Sequence, residues 1–414
     1  MLSYRSGSVG IMQSFTSFAV FLFGALALVV PTGYSIGPAL LLLGSVVLVA
    51  RHHAVLLSRQ DRWIITVLVL YGVVVGGLSF SDLGSKGVDR PVRFLFAVPV
   101  LLLILRYPPQ LKWLWSGIAV GAIGSGSWAV WLKLTEGVER VGGFLHPIQF
   151  GNLSMLMGVL CCAGLGWAAT RSHRARWVVL LSLGIMLGML GSFMSGSRGG
   201  WVGLPVVGYV LYRGYARQLP FFIKASALGG ALLLVAMVYS LPHTGVQPRV
   251  EAAISDVRHY VSGGERDTSL GLRFEMWRGA ALLIRERPLL GWSESGYKEA
   301  MVALGERGII SPMAAEFGHA HNEFLDALAK RGLPGVVVLL LLYLVPIRLF
   351  ASGLVHRDLS IRSLAVAGTL LPVAFIDFGL SQTFLAHNSG AMFYAFWLAV
   401  FWGSYSNRKA LSDV

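Results

Sequence analysis

The stretch Ile64-Ile65-Thr66-Val67-Leu68-Val69-Leu70-Tyr71-Gly72-Val73-Val74-Val75-Gly76-Gly77-Leu78-Ser79-Phe80 runs for seventeen residues without a formal charge. As a helix it extends about 26 Å, close to the ~30 Å hydrocarbon core of a bilayer. Hydrocarbon offers backbone groups no hydrogen-bond partner, so a crossing segment must pair its own N–H and C=O groups, as a helix does. The ten-residue alternations that mark a membrane barrel are absent.

Similar runs recur along the 414 residues. They give twelve spans, at approximately 14–30, 35–50, 64–80, 92–105, 114–131, 149–170, 177–194, 201–216, 221–241, 333–350, 364–381 and 389–404. The chain is 55% hydrophobic and 13% charged, and a soluble domain carries about 25% charged residues. The expected fold is therefore all-α and polytopic, with about twelve transmembrane helices. The first run, 14–30, has no small-residue cleavage site with a polar sequel and reads as a retained span. Cys161 and Cys162 are adjacent inside an apolar run, which suits packing residues and not a disulfide or a metal site.

Orientation follows from the short connections, because cytoplasmic loops carry an excess of Lys and Arg. One set holds Arg5, Arg51, Arg59, Arg62, Arg106, Lys112, Arg171, Arg174, Arg176, Arg213, Arg217, Arg348, Arg357, Arg362, Arg408 and Lys409, which is sixteen. The alternate set holds six: Lys86, Arg90, Arg93, Lys133, Arg140 and Arg198. The first set and both termini are expected in the cytoplasm. The net charge of +14 thus reflects membrane topology and not nucleic-acid binding. The long connection between spans nine and ten falls on the outer side. It is nearly neutral, with eleven basic and twelve acidic residues. The chain divides into spans one to nine (1–241), an outer loop (242–332), and spans ten to twelve with a short tail (333–414).

A loop of this length needs structure of its own. Helical periodicity appears over 246–260 and 270–286, the second with Arg273, Trp277, Ala281 and Ile284 on one face. Asp267, Thr268 or Ser269 could cap that helix, and Pro288 stops its pattern. A third helix is expected from Asn322, a good N-cap, and Gly332-Leu333-Pro334-Gly335 turns the chain into span ten.

Three constellations could carry chemistry. Gly196-Ser197-Arg198-Gly199-Gly200-Trp201 places a guanidinium among small residues at membrane depth, where a charge is costly and by default functional. A guanidinium grips phosphate oxygens in a bidentate fork. The bland reading is an arginine snorkelling to the interface. His319-Ala320-His321-Asn322 offers imidazoles that accept a proton near neutral pH. Two histidines at i, i+2 could ligate a metal, but no third ligand is spaced to join them. The bland reading is a polar helix cap. Finally Arg93, Arg140, Arg266, Arg273 and Arg278 form an outer basic set that suits a diphosphate, though any one of them could be a solvated charge. No Asp-x-Asp pair, phosphate loop or dinucleotide fingerprint appears.

These residues resemble a known superfamily. His321-Asn322, nine residues, Gly332, two residues and Gly335 is similar to the signature of O-antigen ligases and bacterial O-linked oligosaccharyltransferases. Ser197-Arg198-Gly199-Gly200-Trp201 resembles the arginine motif of the superfamily, which includes the O-antigen polymerases. Arg140-Val141-Gly142-Gly143-Phe144 with His146-Pro147 looks like its motif before span six. Arg273, Trp277, Pro288 and Gly291 resemble the motif of its large periplasmic loop. One departure is Ser293, where many members have the second glycine of Gly-x-Gly.

The resemblance implies transfer of a glycan from undecaprenyl diphosphate at the periplasmic face of a Gram-negative inner membrane. In ligases the acceptor is a sugar hydroxyl of lipid A–core. His321, Arg198 and Arg273 are the expected catalytic residues. Arg140, Arg93, Arg266, Trp201, Asn322 and His319 are expected to bind substrate. No metal or cofactor is implied. A polymerase, whose acceptor is a second lipid-linked repeat, and a protein-directed oligosaccharyltransferase are the nearest enzyme alternatives. A lipid-linked glycan flippase is the alternative of another class. It would need charges across the midplane, where only Lys224 and Asp377 lie within the spans.

Overall fold

The structure is a computed structural model that describes residues 2–50, 55–197, 199–217, 219–222, 224–226, 229, 233, 239–240 and 246–412. Among the described residues all regular structure is helical. Two compact units emerge, one of residues 1–214 with 337–414 and one of 215–336.

The first unit is a helical bundle. Its helices are α1 (Leu2–Ala25), α2 (Gly33–Ala50), α3 (Arg59–Leu83), the single turn α4 (Ser85–Val88), α5 (Val92–Arg106), α6 (Leu111–Thr135), α7 (Pro147–Ala168), α8 (Arg174–Ser195) and α9 (Leu204–Leu211). The last runs on as a π-helical turn, Tyr212–Ala216. The C-terminal part of the unit holds α15 (Leu359–Gly379) and α16 (Asn388–Ser412), together with the distal part of α14 (Glu323–Ala351). Eleven of the twelve expected apolar runs overlap these helices, the first running on past the end of α1 at Ala25. The ninth, 221–241, lies largely outside the described residues. The eighth is shorter than expected, because Gly199–Gly203 forms a turn and not a first helical turn.

Among the described residues five helices are long and apolar enough to cross a membrane: Arg59–Leu83, Pro147–Ala168, Arg174–Ser195, Glu323–Val355 and Leu359–Gly379. Burial sorts the bundle into layers. From Ser389 to Tyr405 every residue of α16 is buried, and α7 and α15 are nearly as enclosed. By contrast α3 exposes Val73 and Phe80, and α8 exposes Val179 and Met186. Helices apolar all round belong in a core, while apolar residues exposed in rows need lipid. Small residues set the closest crossings. A Cβ on Gly121 of α6 would collide with the backbone of Gly24 on α1, the close backbone approach that membrane helix pairs exploit.

The second unit contains α10 (Val246–Val261), α11 (Ser269–Glu286), α12 (Glu294–Glu306), the turn α13 (Pro312–Ala315) and the first part of α14. Its core joins Ala280 and Leu283 of α11, Tyr297, Met301 and Leu304 of α12, and Ala320 and Ala329 on either side of the His-Asn corner. The expected helices at 246–260 and 270–286 are present, and Thr268 caps the second by accepting from Gly271 N. Of the α11 residues that periodicity places on one face, Ile284 packs against this core. Ala281 is exposed and Arg273 and Trp277 are half-buried, whereas Met276, Gly279, Ala280 and Leu283 are buried. α12 escaped the sequence reading altogether.

Candidate active site

The His-Asn corner is built from the N-terminus of α14. Asn322 Oδ1 accepts from the backbone N–H groups of Phe324 and Leu325 at 3.0 and 3.1 Å, which satisfies two of the helix's unpaired donors. The residue before the cap, His321, sits at φ +47°, a region that few non-glycine residues enter. Two contacts hold it there. Asp326, one turn into the helix, accepts from Ala320 N at 3.0 Å, and His321 N donates to His319 Nδ1 at 3.3 Å. The two imidazole rings lie 4.3 Å apart, edge to face, with Phe317 against both. Burial lowers the His319 pKa from its ordinary value, so its ring is neutral and able to accept that hydrogen bond.

Beneath the corner lies a buried ion network. Lys330 Nζ meets Asp326 Oδ2 at 3.1 Å and Glu294 Oε2 at 2.8 Å. Arg331 holds the other Glu294 oxygen at 2.6 Å. The Lys330 ammonium also lies 5.3 Å from the Tyr297 ring. Lys330 is only 5% exposed, so its charge depends on these partners. The i, i+4 pair Asp326–Lys330 was readable in the sequence, but Glu294 was not.

The turn from Pro288 to Ser293 is pinned against the same helix. Trp292 N and Ser293 N donate to Ala329 O and Lys330 O, and Leu333 N donates back to the Pro288 and Leu289 carbonyls. Gly291 (φ +71°) and Gly332 (φ +59°) sit where these backbones meet. A Cβ on either would lie within 2.5 Å of the opposing chain. Two glycines of the quoted motifs therefore have one physical reason, a backbone-to-backbone contact that also breaks α14 at Gly332.

Ser293 has φ +65° and caps α12 by accepting from Gly296 N at 3.3 Å. It trades glycine's conformational freedom for a cap. Ser293→Gly is expected to leave thermal stability nearly unchanged. Ser293→Ala, which keeps the strain and loses the cap, should cost about 1 kcal/mol. Melting of the two variants side by side checks this, and a more stable Ala variant would contradict the capping role.

On α11, Arg273 is half-buried and engaged in an interaction of its own. The helix's buried acid is Glu275, fully enclosed, which accepts from Tyr260 Oη at 2.7 Å and Ser311 N at 2.8 Å. Burial and the Glu275 contact raise the Tyr260 pKa, so the phenol stays a donor. Arg278 lies 3.8 Å from Glu275 and is half exposed. Arg266 is exposed in the connection before α11.

The remaining predicted residues belong to the first unit. Arg198 lies outside the described residues, while Ser197 and the turn Gly199–Gly203 are described. Arg140 Nε donates to Ser195 O at 3.4 Å and Val141 N donates to Met194 O at 3.2 Å, so the motif before α7 meets the end of α8. Gly143 (φ +58°) lies against Trp128, which stacks on Phe144. His146 caps α7, and burial together with Arg140 lowers its pKa. Trp201 packs edge-on against Phe193 and donates to Ser192 Oγ at 3.3 Å. Arg93 pairs with Asp89 at 3.0 Å.

Sequence reasoning missed the polar floor of this turn. Asn152 Oδ1 accepts from Ser197 Oγ at 3.0 Å. A Cβ on Gly200 would crowd Asn152, and one on Gly203 would crowd Asp377. Among the described residues Asn152 Nδ2 and Gln149 Oε1 have no hydrogen-bond partner although both atoms are buried. Two amides inside an apolar span were the available signal. Among the described residues no three His, Cys, Asp or Glu side chains are grouped to hold a metal ion.

Residues 181–340, from α8 through the corner and the Gly332 break, match the family described as O-Antigen ligase. An uncharacterized protein of Haemophilus influenzae is 29% identical over 378 residues, covering 91% of this chain and 94% of that protein. The chain is a multi-pass membrane protein, and the match bears out its resemblance to the O-antigen ligase superfamily of membrane glycan-processing enzymes.

Proposed function

We propose that this protein transfers a glycan from undecaprenyl diphosphate to a sugar hydroxyl of lipid A–core, in one inverting step without a metal. In this reading twelve spans cross the inner membrane, residues 242–332 lie in the periplasm, and both lipid-linked substrates enter from the outer leaflet. The observation that carries the reading is the His321 corner. An imidazole is held at a strained backbone position by a cap and a buried acid, inside the region matched to O-Antigen ligase.

The chemistry assigned to these residues balances simply. The acceptor oxygen attacks the anomeric carbon from the face opposite the diphosphate, and His321 takes the hydroxyl proton as general base. The bond from the anomeric carbon to the diphosphate oxygen breaks, and undecaprenyl diphosphate leaves with the electron pair. Arg198 and Arg273 neutralise the charge that develops on that oxygen. Arg140 is assigned to the same diphosphate, with Arg93 and Arg266 as supporting cations. His319 and Asn322 position His321, and Trp201 anchors the arginine turn.

Incubating the purified protein with undecaprenyl-diphosphate glycan and lipid A–core tests the reading directly. An extended lipid A–core supports it. Extension only of a second lipid-linked repeat identifies a polymerase instead, and glycan crossing liposomes without acceptor identifies a flippase. Arg198→Lys is expected to lower transfer about tenfold or more, because a point charge lacks the fork that grips two phosphate oxygens. Wild-type turnover in that variant would reduce Arg198 to an interfacial anchor.

A further inference from the structure

Within the first unit the connection at Arg140 and the turn Gly199–Gly203 gather the C-terminal ends of α6, α8 and α15 and the N-terminal end of α7. The opposite termini of these helices, with Gln13 of α1 and Arg408 of α16, line a separate, partly open cavity of about 310 Å³. Lys112 from the start of α6, Arg171 after α7 and Arg408 near the end of α16 all line it, beside Trp167 and Trp177. No Asp or Glu is among the described residues that line it.

The three cations have little to neutralise them. Among the described residues the Arg171 guanidinium donates only to the Thr170 hydroxyl, at 2.9 and 3.1 Å, and it lies 5.4 Å from the Trp167 ring. Arg408 is partly buried, and among the described residues its Nε has no hydrogen-bond partner. The acid that acts on Arg408 is Asp358, and its carboxylate already caps α15 through Ser360 N and Ile361 N. A cytoplasmic excess of basic residues accounts for cations in these loops. It does not account for three of them converging from separate elements on one carboxylate-free hollow.

Past Trp177 the outward face of α8 continues as Val179, Leu183 and Met186, exposed by 58, 44 and 66%. A charged hollow beside a tryptophan with an apolar track leading away fits an amphiphile better than a free ion. Basic pockets between spanning helices favour anionic lipid headgroups, and guanidinium groups supply the fork for phosphate.

We propose that this cavity binds the phosphate headgroup of an anionic glycerophospholipid whose acyl chains lie along α8. The site is independent of the glycan-transfer reading and uses none of its residues. Native mass spectrometry of the full-length protein in neutral detergent, titrated with phosphatidylglycerol or phosphatidylcholine, tests it. The wild type should retain one phosphatidylglycerol per chain, and Arg171→Gln/Arg408→Gln should weaken that binding about tenfold, to the phosphatidylcholine level. Lys112→Gln, at an exposed position, should weaken it in the same direction without a folding defect. Arg174→Gln, exposed near the same end but outside the cavity, should bind as wild type does. Unchanged phosphatidylglycerol binding in the double variant overturns the proposal. So does an equal loss in Arg174→Gln, which would indicate diffuse surface charge. Displacement of the lipid by millimolar inorganic phosphate would also overturn it, in favour of a soluble-ion site.

Discussion

Replacing His321 with alanine is expected to lower glycan transfer by roughly 10²- to 10⁴-fold, the contribution of a positioned general base, while membrane insertion stays intact. The backbone at φ +47° complicates a bare alanine test, because alanine tolerates that region poorly. His321→Asn removes the complication. Asparagine enters the left-handed region readily but cannot accept a proton near neutral pH. Both variants should be equally inactive, and the Asn variant should melt no lower than the Ala variant. His319→Ala separates chemistry from positioning. It deletes the acceptor of the His321 N–H, so kcat should fall moderately and less than in either His321 variant. Full activity in His321→Asn would remove the base from the mechanism.

Hydrophobic run length located the spanning helices because lipid imposes one constraint on every residue in contact with it. The same reasoning found α10, α11 and the start of α14 but not α12, and it assigned no core face to α11, because burial in the second unit is selective. On α11 the buried face contains Glu275 and Gly279, an acid and a glycine that count against burial when hydropathy is averaged. Glu275 is tolerated there because the Tyr260 hydroxyl and the Ser311 N–H satisfy it. α12 buries Tyr297, Met301, Leu304 and Gly305, too few apolar residues among Gly, Lys and Glu to stand out. At the His-Asn corner the cap was legible, since Asn322 needs only its own next three residues. The strain at His321 and the clamp from Asp326 were not, because both depend on how the preceding loop closes onto the helix. The glycines at 291 and 332 were visible as motif positions. Only the contact of Gly291 with the Lys330–Arg331 backbone, and of Gly332 with the Leu289–Leu290 backbone, gives the reason they are glycines.

Asp326→Ala is expected to be the most destabilising single change in the second unit, at about 3 kcal/mol. The carboxylate does two jobs. One oxygen accepts from the buried Ala320 N–H and the other pairs with Lys330. Losing the first leaves a buried donor unsatisfied, worth about 1–3 kcal/mol. Losing the second leaves a nearly enclosed ammonium with Glu294 as its remaining carboxylate partner, so the cost falls at the lower end of the 3–5 kcal/mol for breaking a buried pair. Asp326→Asn separates the two effects, since its amide oxygen still serves Ala320 while the ion pair is gone. Asp326→Ala/Lys330→Met should recover stability relative to Asp326→Ala, because it withdraws the orphaned charge and leaves Glu294 to Arg331. Activity should follow a different order. Asp326→Asn keeps the loop that positions His321 and should retain most of the transfer rate, whereas the double variant, stable but without the Ala320 clamp, should not. If Asp326→Asn and Asp326→Ala lose activity equally while melting as wild type, Asp326 acts on the substrate and not on the loop. If the double variant melts no higher than Asp326→Ala, the buried charge is not what the carboxylate stabilises.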